Sequence, residues 1–312
     1  MSNRSLISIA DLSPEEIVAL LDRAEDLKAE RSGRGGCAFG DRLPLAGKSV
    51  AMIFEKPSTR TRVSLEVAAT ELGGHPLYLS ANELQLGRGE TIGDTARVLS
   101  RYVHGITARV FSHRTVEELA AHSSVPVINA LSDQEHPLQI LADMMTIREH
   151  FGYLEGLRIA WIGDGNNVCN SLILASAMLN MRMIVASPRG YEPKGQILER
   201  ARELGGVPEI TAEPSEAAHD ADVLVTDTWI SMGDEAEEAE RLRSFSGYQI
   251  NQRILEIAGR DAIVMHCLPA HRGQEITDEV MDGPQSVVLE EAENRLHTSK
   301  AVLEWMVGRR PL

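Results

Sequence analysis

Phe54-Glu55-Lys56-Pro57-Ser58-Thr59-Arg60-Thr61-Arg62 is the stretch from which the fold can be read. It is entered from Ser49-Val50-Ala51-Met52-Ile53-Phe54, a short apolar run that reads as a buried strand. It is left through Val63, Val67, Ala68 and Leu72, which fall at helical spacing until Gly73-Gly74 stops the helix. Pro57 biases Lys56 toward extended backbone, so strand gives way to turn here, and either Ser58 or Thr59 can cap the new helix. Two hydroxyls, two guanidiniums and the free N–H groups of a first helical turn thus gather in one place. That combination suits a phosphate: the N–H groups and helix dipole favour an anion, and arginine adds forked, charge-assisted donors. The plain alternative is a capped helix with two solvated arginines; like charges two residues apart beside an apolar strand end speak against it.

Upstream, Ser13-Pro14-Glu15-Glu16 has the form of a capping box with proline at the first helical position. Ile17, Leu20, Leu21, Ala24 and Leu27 continue it on one face, predicting a helix over 13–31. Gly47-Lys48-Ser49 has the ending of a nucleotide P-loop, but Arg42 stands where the first glycine belongs and a strand follows, so that motif is dismissed. Downstream, 75–80 reads as a strand and 81–91 as a polar, glycine-rich loop, either a plain surface loop or one that reaches into a site. A helix near 92–103, a strand near 106–111, a helix near 115–122 and a strand at 125–130 follow. This alternation predicts a parallel α/β sheet. His136-Pro137-Leu138-Gln139 opens a long helix running to about Phe151, with His136 and Gln139 on one face of its N-terminus. That helix is the expected bridge between two domains.

A fresh alternation begins at Leu157. Arg158–Gly163 reads as a strand and Asn166–Leu179 as a helix. The turn Gly163-Asp164-Gly165-Asn166-Asn167-Val168 approaches the dinucleotide fingerprint, but Val168 occupies the place of the third glycine or alanine, which disfavours a nicotinamide enzyme. The two asparagines are either caps or ligands. Strands at 182–187 and 221–228 alternate with helices near 193–205 and 214–219. Asp227-Thr228-Trp229-Ile230-Ser231-Met232-Gly233 lies just beyond a strand's carboxyl end, where open parallel sheets bind ligands. Ala262–Met265 is a further buried strand, delivering His266-Cys267-Leu268-Pro269 at its tip. His266, Cys267 and His271 raise the question of zinc, but one cysteine without a second close pair argues against it; Cys267 facing an anion site is the other reading. A last helix, from about Leu296 to Val307, carries Ala301, Val302, Trp305 and Met306 on its apolar face.

Composition narrows the field. The 312 residues allow one large or two medium domains, and 43% hydrophobic content is ordinary for a globular protein. With 31 basic and 46 acidic residues the formal charge is −15, which argues against nucleic acid or an anionic membrane surface as partner. An anionic ligand must then be held by local arginines. Three cysteines without a repeated spacing point to a reducing cytoplasm rather than a disulfide framework, and no apolar run approaches membrane-spanning length.

Taken together, the motifs at Phe54–Arg62, His136–Gln139, Asp227 through Ser231-Met232-Gly233, and His266-Cys267-Leu268-Pro269 resemble those of the ornithine carbamoyltransferases, over essentially the whole chain. The first two are shared with aspartate carbamoyltransferase; the last two narrow the likeness to ornithine. The resemblance implies an α/β fold of two domains, each a parallel β-sheet flanked by helices, joined by long helices. Residues 1–135, completed by 295–312, would bind carbamoyl phosphate; 136–150 would link the domains; 151–294 would bind L-ornithine. It implies carbamoyl transfer in arginine metabolism, with no cofactor and no metal, in a cytoplasmic homotrimer or multiple of trimers. Residue by residue, Ser58, Thr59, Arg60 and Thr61 would hold the phosphate, and Gln85 would come from a neighbouring subunit. Arg109, His136 and Gln139 would hold the carbamoyl group, with Cys267, Leu268 and Arg295 closing the site. Asn167, Asp227, Ser231 and Met232 would hold ornithine. The residues cast as catalytic are Arg60, Arg109, His136, Asp227 and Cys267. A carbamoyltransferase for another amine, or a sensor that binds carbamoyl phosphate without turnover, are the rival readings.

Overall fold

β1 (Ser49–Phe54) is buried over its last five residues because it lies inside a sheet, with β2 (His75–Ser80) on one side and β3 (Gly105–Arg109) on the other. The structure is a computed structural model that describes residues 4–33, 43–80, 89–230 and 235–308. It divides into two units, one comprising 1–145 and 293–312, the other 146–292.

In unit 1 the strand order is β2-β1-β3-β4, all parallel, with β4 at Val127–Leu131. α1 (Pro14–Gly33) precedes the sheet. It opens on the expected capping box: Glu16 N donates to Ser13 Oγ at 3.2 Å and Ser13 N to Glu16 Oε2 at 2.8 Å. α2 (Thr59–Glu71) links β1 to β2, α3 (Ile92–Leu99) links β2 to β3, and α4 (His113–His122) links β3 to β4. The chain therefore leaves β1 in one direction and continues from β3 in the other. This makes the carboxyl ends of β1 and β3 the topological switch point, the place where such sheets open a ligand crevice. One core cluster joins Ala51, Ile53, Ile106 and Ala108 of the strands to Ala96 and to Val116 and Leu119 of α3 and α4.

α5 (Pro137–Phe151) follows β4, and the division between units falls within it, after Met145. Unit 2 contains β5 (Arg158–Ile162), α6 (Asn167–Met178), β6 (Arg182–Ala186), α7 (Gly195–Glu203), β7 (Glu209–Thr211), α8 (Pro214–Ala218) and β8 (Val223–Thr226). α9 (Glu238–Ser244), α10 (Gln252–Ile257), β9 (Ile263–His266) and α11 (Asp278–Met281) complete it. The parallel sheet runs β7-β6-β5-β8-β9, so its switch point lies between β5 and β8. Trp229, Phe245 and Tyr248 pack with Ala160, Ile162, Leu224 and Val264 in its core. α12 (Val288–Met306) closes the chain, and from Glu293 onward belongs to unit 1. There Lys300 Nζ donates to Glu71 Oε2 at 2.8 Å, Arg23 Nε to Glu304 Oε2 at 2.8 Å, and Lys28 Nζ to Asn294 Oδ1 at 2.8 Å.

Two expectations about elements need correction. α2 buries Thr61, Ser64, Leu65, Ala68 and Ala69, while Val63 on the face expected to be apolar is 52% exposed. Small polar residues fill the inner face at the helix start, so hydrophobicity alone misjudged its rotation. α12 begins at Val288, well before the expected Leu296, because Glu290 and Glu291 sit favourably in a first helical turn. Among the described residues no helix is long and apolar enough to cross a membrane.

Candidate active site

In unit 1, Phe54 at the end of β1 pairs in register with Arg109 at the end of β3. Glu55 N donates to Arg109 O at 2.9 Å, which fixes the start of the turn. Ser58 rather than Thr59 is the cap of α2; its Oγ accepts from Thr61 N at 3.3 Å. Thr61 is therefore in the first turn, buried, and points its hydroxyl at two guanidiniums. Arg109 Nη1 lies 3.5 Å and Arg295 Nη2 3.4 Å from Thr61 Oγ1. Both arginines are buried. Arg295 Nη1 also donates to Gln139 Oε1, and Gln139 Nε2 donates to Asp143 Oδ1 at 2.8 Å. Gln139 and Asp143 are four apart on α5, the spacing at which helical side chains meet. His136, just before α5, is buried; burial first, then the positive charges of Arg295 and Arg109, push its imidazole well below the ordinary histidine range. It is an uncharged ring in a cationic setting. Arg60 is half-buried and, among the described residues, has no protein partner. Arg62 is spent elsewhere: its Nε donates to Glu66 at 3.0 Å and its guanidinium lies 3.8 Å from the centre of the Tyr78 ring. The guanidiniums that meet at Thr61 are thus Arg109 and Arg295, not Arg62.

In unit 2, the carboxyl ends of β5, β8 and β9 supply the side chains. Thr226 pairs with His266, which sets Asp227 beside Cys267. Cys267 Sγ donates to Asp227 Oδ1 at 3.0 Å, Thr228 N to the same oxygen at 2.8 Å, and Asn166 Nδ2 to Asp227 Oδ2 at 2.8 Å. Asn166 also caps α6, its Oδ1 accepting from Val168 N at 3.0 Å and Cys169 N at 3.1 Å. Asn167 Oδ1 accepts from Val168 N at 3.1 Å. Leu268 N donates to His266 Nδ1 at 2.9 Å, so that nitrogen carries no proton, and Nε2 donates to Glu275 Oε1 at 3.0 Å. Asp227, His266 and Cys267 offer ligand atoms within 4.8 Å of one another. With both nitrogens of the His266 ring hydrogen-bonded, the group lacks a free imidazole for a metal. Cys169 is buried, and burial, followed by the negative charges of Asp164 and Asp227, pushes its thiol well above the usual range.

Comparison with known proteins bears on both halves. The aspartate/ornithine carbamoyltransferase carbamoyl-P binding domain matches residues 4–149, and the Asp/Orn binding domain of the same family matches 155–306. The chain belongs to the aspartate/ornithine carbamoyltransferase family. Within it, ornithine carbamoyltransferase of Methanosarcina acetivorans is 60% identical over 300 residues, covering 96% of this chain and 98% of that protein. The enzyme of Archaeoglobus fulgidus is 53% identical over 306 residues, 98% of each. The solved ornithine carbamoyltransferase of Pyrococcus furiosus superposes with a TM-score of 0.93 at 50% identity, covering 99% of each chain.

Against the family motifs, unit 1 groups Arg109, Gln139, Arg295 and Thr61 by direct contact, with His136 within the field of both arginines and Ser58 and Thr59 at the head of the same helix turn. Unit 2 groups Asp227 and Cys267, with Asn167 at the first position of α6 and Leu268 next to Cys267, half-buried at φ 58°. Gln85, Ser231 and Met232 lie outside the described residues. Two residues in contact with these side chains were not singled out in the sequence. Asp143 orients Gln139, and its spacing was the available signal. Glu275 accepts from His266, nine residues earlier in the chain, with no pattern to mark it; Asn166, read as a cap or a ligand, both caps α6 and donates to Asp227, 61 positions on.

Proposed function

We propose that this chain moves the carbamoyl group of carbamoyl phosphate onto the δ-amine of L-ornithine, giving L-citrulline and phosphate. Unit 1 supplies the donor half of the chemistry and unit 2 the acceptor half. The observation that carries the reading is the pair of buried guanidiniums, Arg109 and Arg295, converging on Thr61 beside an uncharged His136. A phosphate at the head of α2 would meet Ser58, Thr59, Thr61, the N–H groups of the first turn and the unengaged Arg60. The carbonyl oxygen gains negative charge as the amine attacks. Arg109, Thr61 and an imidazole N–H of His136 would donate to it. Gln139 is held by Arg295 and Asp143 and would orient the carbamoyl NH2.

The amine must be uncharged to attack, and a free alkylammonium has a pKa of about 10. Asp227 and Cys267, hydrogen-bonded to each other, would orient it, and Asn167, Ser231 and Met232 would bind the rest of the amino acid. The N–C bond forms as the C–O bond to phosphate breaks, and the amine gives up one proton. The donor is already activated, so the step calls on no metal, redox group or covalent enzyme intermediate; alignment of two substrates supplies much of the rate. The relatives named above support ornithine as acceptor, and the free thiols Cys169 and Cys267 suit a reducing cytoplasm. We include in the proposal a homotrimer, or a multiple of trimers, in which Gln85 serves a neighbouring site.

The test is Arg60→Gln assayed for citrulline at limiting carbamoyl phosphate, with circular dichroism and Tm as fold controls. Loss of the unengaged guanidinium should cost on the order of 10²–10³ in kcat/KM for the donor. Undiminished citrulline output overturns the donor site. Faster transfer to putrescine or N-acetylornithine than to ornithine overturns the acceptor.

A further inference from the structure

Asn166 does two things with one amide. Its Oδ1 accepts from the backbone N–H groups of Val168 and Cys169. Those two donors require an oxygen, so the orientation of the amide is settled by its surroundings and Nδ2 must face Asp227 Oδ2, 2.8 Å away. Capping alone does not call for asparagine: aspartate, serine and threonine cap as well or nearly so. Only asparagine joins a capping acceptor to an outward donor at this reach. Aspartate would set carboxylate against carboxylate, and serine is too short to bridge. Asp227 is buried, and its two oxygens take different donors: Oδ2 takes Asn166, and Oδ1 takes Cys267 Sγ and Thr228 N. Cys267 and Thr228 sit on or beside the same strand ends as Asp227. Asn166 ties the carboxylate to the start of α6, and so restrains the rotation of its plane.

We propose that Asn166 is a positioning residue for carbamoyl transfer, holding the Asp227 carboxylate in the orientation that receives the acceptor amine. The inference rests on the ornithine carbamoyltransferase activity proposed above and assigns a role to a side chain outside the ligand set. Cys169 lies within the field of both Asp227 and Asp164, and Asp227 is also met by His266 and Cys267 from the end of β9. Asp164 is itself paired with Arg241 at 2.9 Å, and both nitrogens of the His266 ring are hydrogen-bonded.

The experiment compares Asn166→Ser and Asn166→Asp, both of which keep a cap on α6. Each should still fold cooperatively, with a Tm lowered by several degrees for the lost buried hydrogen bond, and should keep the wild-type KM for carbamoyl phosphate, while kcat/KM for ornithine falls on the order of 10²-fold, the effect of displacing a reacting group by about 1 Å. Asn166→Asp should in addition move the acid limb of the ornithine pH–rate profile upward by about one unit or more, because two carboxylates sharing a site retain a proton to higher pH. Asn166→Ser adds no charge and should leave that limb in place. Folded variants with wild-type ornithine kinetics would show that Asn166 is a cap only. Parallel losses for both substrates would mark a general structural effect and equally overturn the proposal. Wild-type protein that makes no citrulline overturns the activity itself, a failure distinct from either.

Discussion

His136 is the residue at which chemistry and stability meet. Burial and two neighbouring guanidiniums hold its ring neutral in the fold, whereas in the unfolded chain it titrates near about 6.5. A folded pKa below the unfolded one means that this contribution to stability is complete above about pH 6.5 and declines as pH falls through that value, toward the lower folded pKa, with a slope of up to about 1.4 kcal/mol per pH unit. His113 and His297 are shifted the same way, each chiefly by burial, and add to the slope. Urea unfolding should therefore show stability falling between pH 7 and 5, and His136→Asn should flatten the curve by about one proton's worth; an unchanged slope would contradict the buried neutral ring. His136 was legible as a candidate because it stands at the head of a helix, whereas Arg109 was reached only through the family resemblance. The cost of charging His136 was not legible. It depends on Arg295, which is remote in sequence and reaches the site only through the packing of α12.

At the level of elements, the turn between β5 and α6 is the most constrained. Gly165 N donates to Tyr191 O at 2.8 Å, and a Cβ on Gly165 would lie 2.4 Å from Pro193 N and 2.5 Å from Glu192 C. Backbone cannot yield as a side-chain tip can, so Gly165→Ala must push the turn outward and carry the Asn166 cap with it. A loss of about 1–3 kcal/mol in urea unfolding is expected, together with a raised KM for ornithine; a variant as stable as wild type would show that the turn gives way freely. Strands and helices announced themselves where caps and apolar runs coincide, as in β1 and α1. The buried face of α2 did not, since Thr61 and Ser64 are polar yet inward, Thr61 meeting two guanidiniums and Ser64 Oγ donating to Thr61 O. The three-residue β7, two of its residues exposed at a sheet edge, offered too little burial to leave a pattern. The Asn166–Asp227 bond joins positions 61 apart in sequence; it follows from β5 and β8 being neighbours, which alternation alone does not specify.

At the scale of the molecule, a formal charge of −15 coexists with two buried arginines, Arg109 and Arg295, that meet at Thr61, and with the half-buried Arg60 at the head of α2. The field of the whole chain opposes an anion, and local guanidiniums have to overcome it. Unit 1 also leaves Val63, Tyr102 and Phe111 more than half exposed, apolar surface that a subunit contact would cover. Light scattering of the active protein should return a multiple of the 34.2 kDa chain consistent with trimers; a fully active monomer would contradict the proposed assembly. The two-domain α/β class was readable from two successive runs of strand and helix. What local pattern could not supply was the strand order, and with it the two switch points where the candidate residues gather.

The late position of α12 has a consequence for biosynthesis. Arg295 is translated only after every strand of unit 2 has been made, yet the side chains it meets, Thr61 and Gln139, lie on α2 and α5. During synthesis that contact must wait until the later segment emerges, so a transcript cut short before α12 yields a polypeptide that lacks it.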